Sequence, residues 1–198
     1  MTTAKRADAL RSIEAITQAA AVCLGRNPDA SMSEIARAAG VGRVTLYGHF
    51  SSRAEVVDAA MTRALDEGNE VLDAVDLTGD PRLALGRYID AGWHLVDQAR
   101  SLLAAAQREL SAARILELHA GPAARVEALV ARGRAEGAFR TDLPVSWMVN
   151  ILHAIMHSAA EEIRGGRLTS EHAAAQITAT VLAAFTPPGT PVPPAPET

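Results

Sequence analysis

Ser31 to Arg53 read SMSEIARAAGVGRVTLYGHFSSR. Ser31-Met32-Ser33-Glu34 has the pattern of a capping box: the Ser31 hydroxyl accepts the Glu34 amide and the Glu34 carboxylate reaches back. A short helix follows, with Ile35, Ala36 and Ala39 facing inward. Gly40 ends it, since glycine past the last turn takes the left-handed conformation at little cost. A second short helix covers about Arg43 to Phe50. Two short helices joined by a tight, glycine-containing turn make a helix-turn-helix. The second helix is too short to stand alone in water. Leu46 and Phe50, four residues apart, supply the apolar anchor that packs it onto its neighbours. The opposite side presents Arg43, Thr45, Tyr47 and His49, side chains suited to base edges and phosphates in a major groove. Gly42 and Gly48 allow DNA to approach the backbone closely. Arg53 falls near the start of the next helix, whose amides and positive dipole end suit a phosphate.

Helical patterning extends in both directions from this stretch. Upstream, Leu10, Ile13, Ile16, Ala20 and Leu24 recur at three- and four-residue spacing and predict one apolar face on a helix from about Lys5 to Leu24. Gly25 to Ala30 reads as a loop. Downstream, Ser51 or Ser52 caps a long helix to about Val75, and Asp76 to Asp80 form a break. Pro81 suits the first turn of the next helix, which carries Leu85, Tyr88, Ile89, Gly92 and Val96 on one face and continues to about Glu109. Further helices are predicted from about Ala112 to His119 and, after a reset at Gly121-Pro122, from Ala123 to Glu136. Leu143-Pro144 opens a long helix to about Arg164, and Thr169 or Ser170 starts a last one carrying Ala173, Ile177, Val181, Leu182 and Phe185. Period-2 β patterning is absent. The expected fold is all-α with about nine helices: a three-helix head over residues 1–54, a helical body over 55–186 and a proline-rich, disordered tail over 187–198.

The chain has 198 residues, of which 48% are hydrophobic and 21% charged, an ordinary globular balance. A single cysteine, Cys23, excludes an internal disulfide and a cysteine metal cluster. No signal-peptide stretch or membrane-length apolar run is present, so a cytoplasmic protein with no membrane partner is expected. The net charge of −4 argues against simple electrostatic adhesion to nucleic acid, but it is unevenly spread. Met1 to Glu55 carry seven Lys/Arg against five Asp/Glu, whereas the remainder carries twelve against eighteen.

IARAAGVGRVTLYGHFSSR resembles the helix-turn-helix of the tetracycline-repressor (TetR) family of bacterial transcriptional regulators. The shared elements are the IA-x-x-AGV turn, the TLY-x-HF helix and a basic residue three after the Phe. The resemblance implies a homodimer joined through the last two helices, a pocket for a small-molecule effector in the body and a palindromic double-stranded DNA operator. It implies that Ser33 starts the supporting helix, that Arg43, Val44 and Thr45 face base edges, and that Tyr47, His49 and Arg53 meet phosphates. Lys5 and Arg6 lie where such proteins carry a basic arm. The chain departs from the pattern at Arg53, where Lys is usual, at Val22-Cys23-Leu24, which lacks an aromatic residue, and at Gly48, where a larger side chain is usual. In this fold Tyr88 and Trp93 would line the pocket with Met148 and Met156, suiting a hydrophobic ligand. Arg100 and Arg108 read as solvated cations.

His153, His157 and Glu161 recur at i, i+4 and i+8 on one stripe of the penultimate helix. Three readings stay open: a seam between two copies of the chain together with Ile177 and Val181, a polar pocket wall, or a divalent metal site. The last would make the chain a helical metal-dependent enzyme. The spacing is not HExxH and lacks its general base, nor does it give the Glu-x-x-His pairs of di-iron bundles. No metal, cofactor or catalytic residue is therefore expected. A histidine seam would make association sensitive to pH.

Overall fold

The computed structural model describes residues 3–192, with side chains from residue 6 onward. Among the described residues there are nine α-helices and no strand. Two compact units divide them, the first drawn from Met1–Glu67 and Gln98–His119, the second from Gly68–Asp97 and Ala120–Thr198.

The first unit contains α1 (Thr3–Arg26), α2 (Met32–Ala38), α3 (Arg43–His49), the first part of α4 (Arg53–Asp73), the end of α5 (Pro81–Glu109) and α6 (Ala112–Leu118). Its core gathers Ile16, Leu24, Ile35, Leu46, Val56, Val57, Leu102 and Ala106. The capping box forms as expected: the Ser31 amide donates to the Glu34 carboxylate at 2.7 Å, and the Glu34 amide donates to Ser31 Oγ at 3.2 Å. Gly40 closes α2 with φ +69°, the left-handed region where a Cβ would be strained. The apolar face of α1 is shorter than its sequence pattern. Ile16, Ala20 and Leu24 are buried, whereas Leu10 and Ile13 are exposed, because the helix runs on past the helices that cover its second half. Ion pairs between residues remote in sequence lace the unit. Arg114 donates to both Asp58 carboxylate oxygens at 2.7 and 3.2 Å. Arg108 stays mostly exposed, as expected, while pairing with an exposed Asp29 at 2.6 Å.

The second unit contains the end of α4, the first part of α5, α7 (Ala120–Ala135), α8 (Val145–Arg164) and α9 (Ser170–Phe185). Leu85, Ile89, Trp93, Phe139, Met148, Leu152 and Phe185 are fully buried in one cluster. The Phe139 and Phe185 rings meet edge to face, 5.9 Å between centroids. Gly133 is a packing requirement, since a Cβ there would run into the Phe139 ring and stand 3.0 Å from Pro81 Cβ. The expected break falls at His119, the C-cap of α6, two residues before Gly121-Pro122. α7 begins at Ala120 and Pro122 sits in its first turn, where the missing amide has no helical acceptor to lose.

The packing division differs from the sequence division at residue 54, because α4 and α5 each contribute to both units. Of the proline-rich tail, residues 187–192 are non-helical, with a turn in which the Thr190 amide donates to the Pro187 carbonyl; the rest lies outside the described residues. Lys5 has no described side chain, and Arg6 is exposed. Among the described residues no helix is long and apolar enough to cross a membrane.

Candidate nucleic-acid interface

α3 is anchored by one side and open on the other. Leu46 is fully buried and Phe50 nearly so, both in the core of the first unit. At about 100° per residue this turns Val44 and Gly48 to the opposite side with Thr45 and Tyr47 at its edges, and all four are exposed; Arg43, three residues before Leu46, is exposed as the first residue of the helix. The geometry follows from burial: two apolar residues one turn apart fix the rotation of a helix that has too few internal hydrogen bonds to hold itself.

The Arg43 guanidinium lies over the Tyr47 ring, 5.9 Å from its centroid. Such stacking limits the freedom of a long side chain while leaving its hydrogen-bond donors outward. Gly42 precedes the helix as its N-cap with no side-chain cap. Ser33 is exposed near the start of α2. His49 is half-buried and lines an open depression with Phe50, Glu55, Asp58 and Leu110, so its surroundings are acidic as well as apolar.

Arg53 is placed differently from its sequence reading. Its Nε donates to Glu109 at 2.9 Å, its Nη2 to the Pro28 carbonyl at 2.7 Å and its Nη1 to the Ala30 carbonyl. Every guanidinium nitrogen is engaged inside the first unit, and Glu109 balances the charge. The side chain clamps the α1–α2 loop. At the same helix start, the Glu55 amide donates to Ser52 Oγ at 3.2 Å, which makes Ser52 the cap. The Glu55 carboxylate accepts the Ser51 hydroxyl at 2.6 Å and the Ser51 amide at 2.7 Å. These bonds hold the Glu55 carboxyl below its usual range, and those from Ser31 do the same for Glu34.

Tyr88, Trp93, Met148 and Met156 belong to one buried cluster of the second unit. The Tyr88 hydroxyl donates to the Pro122 carbonyl at 3.1 Å, and burial pushes its pKa up to about 12. The Trp93 indole N–H is buried without an acceptor. A Cβ on Gly92 would stand 3.2 Å from Met156 Cε, so the flexible Met156 fills the space that glycine leaves.

Ile177 and Val181, expected at an interface between copies, are packed in the core of their own chain and have almost no surface to offer a partner. His153 and His157 are half-buried on α8. Glu161 pairs with Arg164, and among the described residues no group of three or more His, Cys, Asp and Glu is arranged to hold a metal ion. Trp147, which the sequence reading did not single out, is 54% exposed near the start of α8. The available signal was a second apolar row, Trp147-Ile151-Ile155, beside the core row of that helix.

A helix-turn-helix with one anchored and one open face, on an all-helical chain, defines the class of DNA-binding transcriptional regulators. The comparisons identify the family within it. Residues 14–60 match the family described as bacterial regulatory proteins, tetR family. The chain is 30% identical over 163 residues to the HTH-type transcriptional repressor LfrR of Mycolicibacterium smegmatis, covering 79% of this chain and 81% of that protein. It is 27% identical over 169 residues to the HTH-type transcriptional regulator NfxB of Pseudomonas aeruginosa, covering 81% and 87%. The crystal structure of LfrR from Mycobacterium smegmatis in complex with proflavine shares the fold, with a TM-score of 0.62 and 24% identity over 88% of this chain and 97% of that one. The protein belongs to the TetR family of transcriptional regulators. Regulators of this family are non-enzymatic transcription factors, which removes the metal-enzyme reading of His153, His157 and Glu161.

Proposed function

We propose that the protein is a ligand-responsive repressor that binds a palindromic operator as a homodimer and leaves it when a small hydrophobic molecule occupies the second unit. The observation that carries the reading is the open face of α3, with Arg43 stacked on Tyr47 and Leu46 and Phe50 holding the helix from behind. Arg43, Val44 and Thr45 face base edges, with Gly42 and Gly48 admitting the DNA. Ser33, Tyr47 and His49 serve the phosphate backbone, which fixes register rather than sequence. Arg53 supports this surface from within. A two-fold dimer would set its recognition helices in successive major grooves about 34–36 Å apart. We put its interface on α8 and α9, with exposed Trp147 as an anchor and the half-buried His153 and His157 at the seam.

The effector site is placed among Tyr88, Trp93, Met148 and Met156. A buried indole N–H without an acceptor costs free energy, which a ligand carrying an acceptor would recover. The compliant methionines can move aside for it. The solved LfrR structure holds proflavine, a planar aromatic molecule, and this makes it a natural first probe. Fluorescence anisotropy against the DNA upstream of the protein's own gene, with salt varied and an unrelated duplex alongside, tests the reading. Tight, salt-sensitive, sequence-preferring binding that falls on adding a ligand is the expected result. Equal, weak binding to both duplexes, followed by no enrichment from a random-sequence pool, would refute it.

A further inference from the structure

Val44 is 88% exposed, the highest value among the large apolar side chains of the described residues. It stands where local stability gives no reason for it. A β-branched residue is a mediocre helix former, and α3 has only seven residues. Its angular position on the helix is informative. With Leu46 and Phe50 facing inward, Val44 and Gly48 occupy the centre of the opposite side, one turn apart. Gly48 has nothing within 4 Å of where its Cβ would stand. The middle of the open face is therefore an isopropyl group beside bare backbone, flanked by Thr45 and by Tyr47 with the Arg43 guanidinium over its ring. That is too small and too polar-bordered for a protein-docking patch, which needs contiguous apolar area.

Thymine is the one base that presents a methyl group in the major groove. We propose that Val44 reads the C5-methyl of a thymine in each operator half-site, and that bare Gly48 lets that base edge come up against α3. The inference rests on α3 being the helix that enters the major groove. Desolvating the isopropyl and the methyl together supplies the favourable term, and a cytosine at the same step offers no methyl to cover. Val44 thus acts as a specificity determinant, whereas Arg43 beside it contributes charge and hydrogen bonds.

The test starts from the duplex enriched by the wild-type protein out of a random pool. Each thymine is then replaced singly by deoxyuridine, which deletes only the methyl group, and affinity is read by anisotropy. The expected result is one thymine per half-site at which the replacement weakens wild-type binding about fourfold, the worth of one buried methyl-sized group. Val44→Ala should bind the thymine duplex more weakly and be indifferent to deoxyuridine at that position, while Val44→Ile should keep the sensitivity. Circular dichroism should show Val44→Ala folded, since alanine is the better helix former. No sensitive thymine, or the same fourfold loss in Val44→Ala, would overturn the assignment. A pool that yields no preferred sequence would instead remove the recognition-helix reading beneath it, so the two failures are distinguishable.

Discussion

Gly48→Ala separates what the free protein needs from what its partner needs. Glycine inside a helix costs about 1 kcal/mol relative to alanine, because its unfolded chain has more freedom to lose. That cost is often retained where a neighbour leaves no room for a methyl group. Here the structure excludes that reason: beyond its chain neighbours and its own helix backbone, nothing lies within 4 Å of an added Cβ, and Gly48 is absent from the glycines with positive φ. Gly48→Ala should therefore stabilise the isolated protein by about 0.5–1 kcal/mol, raising Tm by about 1–4 °C for a chain of this size. The same methyl stands at the centre of the open face and should hold the helix off its DNA. Affinity for the selected duplex should fall although the fold is firmer. Thermal unfolding by circular dichroism and anisotropy titration on the same preparations give both quantities. A variant that is more stable and binds as tightly as wild type would show that DNA does not approach α3 at Gly48. A variant that is less stable would show that the space around residue 48 is filled.

Arg43→Ala should cost about 1–3 kcal/mol of operator affinity and relax preference at one base step; an unchanged selected sequence would count against Arg43 as a base reader. Arg53→Ala should lower the stability of the DNA-free protein by about 1–3 kcal/mol through loss of charge-assisted bonds to Glu109 and two carbonyls, while the slope of log affinity against log salt stays as in wild type. A slope reduced by about one would restore it as a phosphate contact. Gly133→Ala should destabilise the second unit by about 1–3 kcal/mol, because the new methyl meets the Phe139 ring and Pro81; urea unfolding would register this, and Phe139→Leu should relieve part of it. The Glu34 and Glu55 carboxyls are held below their ordinary range by bonds from Ser31 and Ser51. Their contribution is complete above the usual glutamate pKa of about 4.3 and fades as pH falls through the lower folded-state values. Thermal melts along a descending pH series should show that acid-side loss, and it should be smaller when both are replaced by alanine.

The helix-turn-helix was legible because its signals are local. A capping box spans four residues, Gly40 marks a left-handed turn by itself, and Leu46 and Phe50 fix the rotation of α3 by spacing alone. The open side carrying Val44 and Gly48 then follows with no further information, whereas the exposure of Arg43 does not. Start and stop signals also placed the helices of the second unit, with the break before α7 set two residues late, because a proline in a first turn looks in sequence like the break itself. The amphipathic pattern of α1 overstated burial, because periodicity shows which residues share a face and not how far the covering helices reach.

Other features depended on residues far apart in the chain. Arg53 appeared suited to a phosphate because its sequence neighbours are helix-start amides. What its side chain meets, Pro28, Ala30 and Glu109, is set by the packing of α1 and α5 around it. Ile177 and Val181 carried an apolar stripe that fits either a chain's own core or a partner's surface, and only packing assigned them inward while leaving Trp147 outside. The sequence by itself determined the helices, their order and the open face of α3, because hydrogen bonding and hydrophobic spacing act within a few residues. The tertiary structure alone decided which cations are spent on internal clamps and which apolar side chains remain uncovered, since both depend on what the rest of the chain brings alongside.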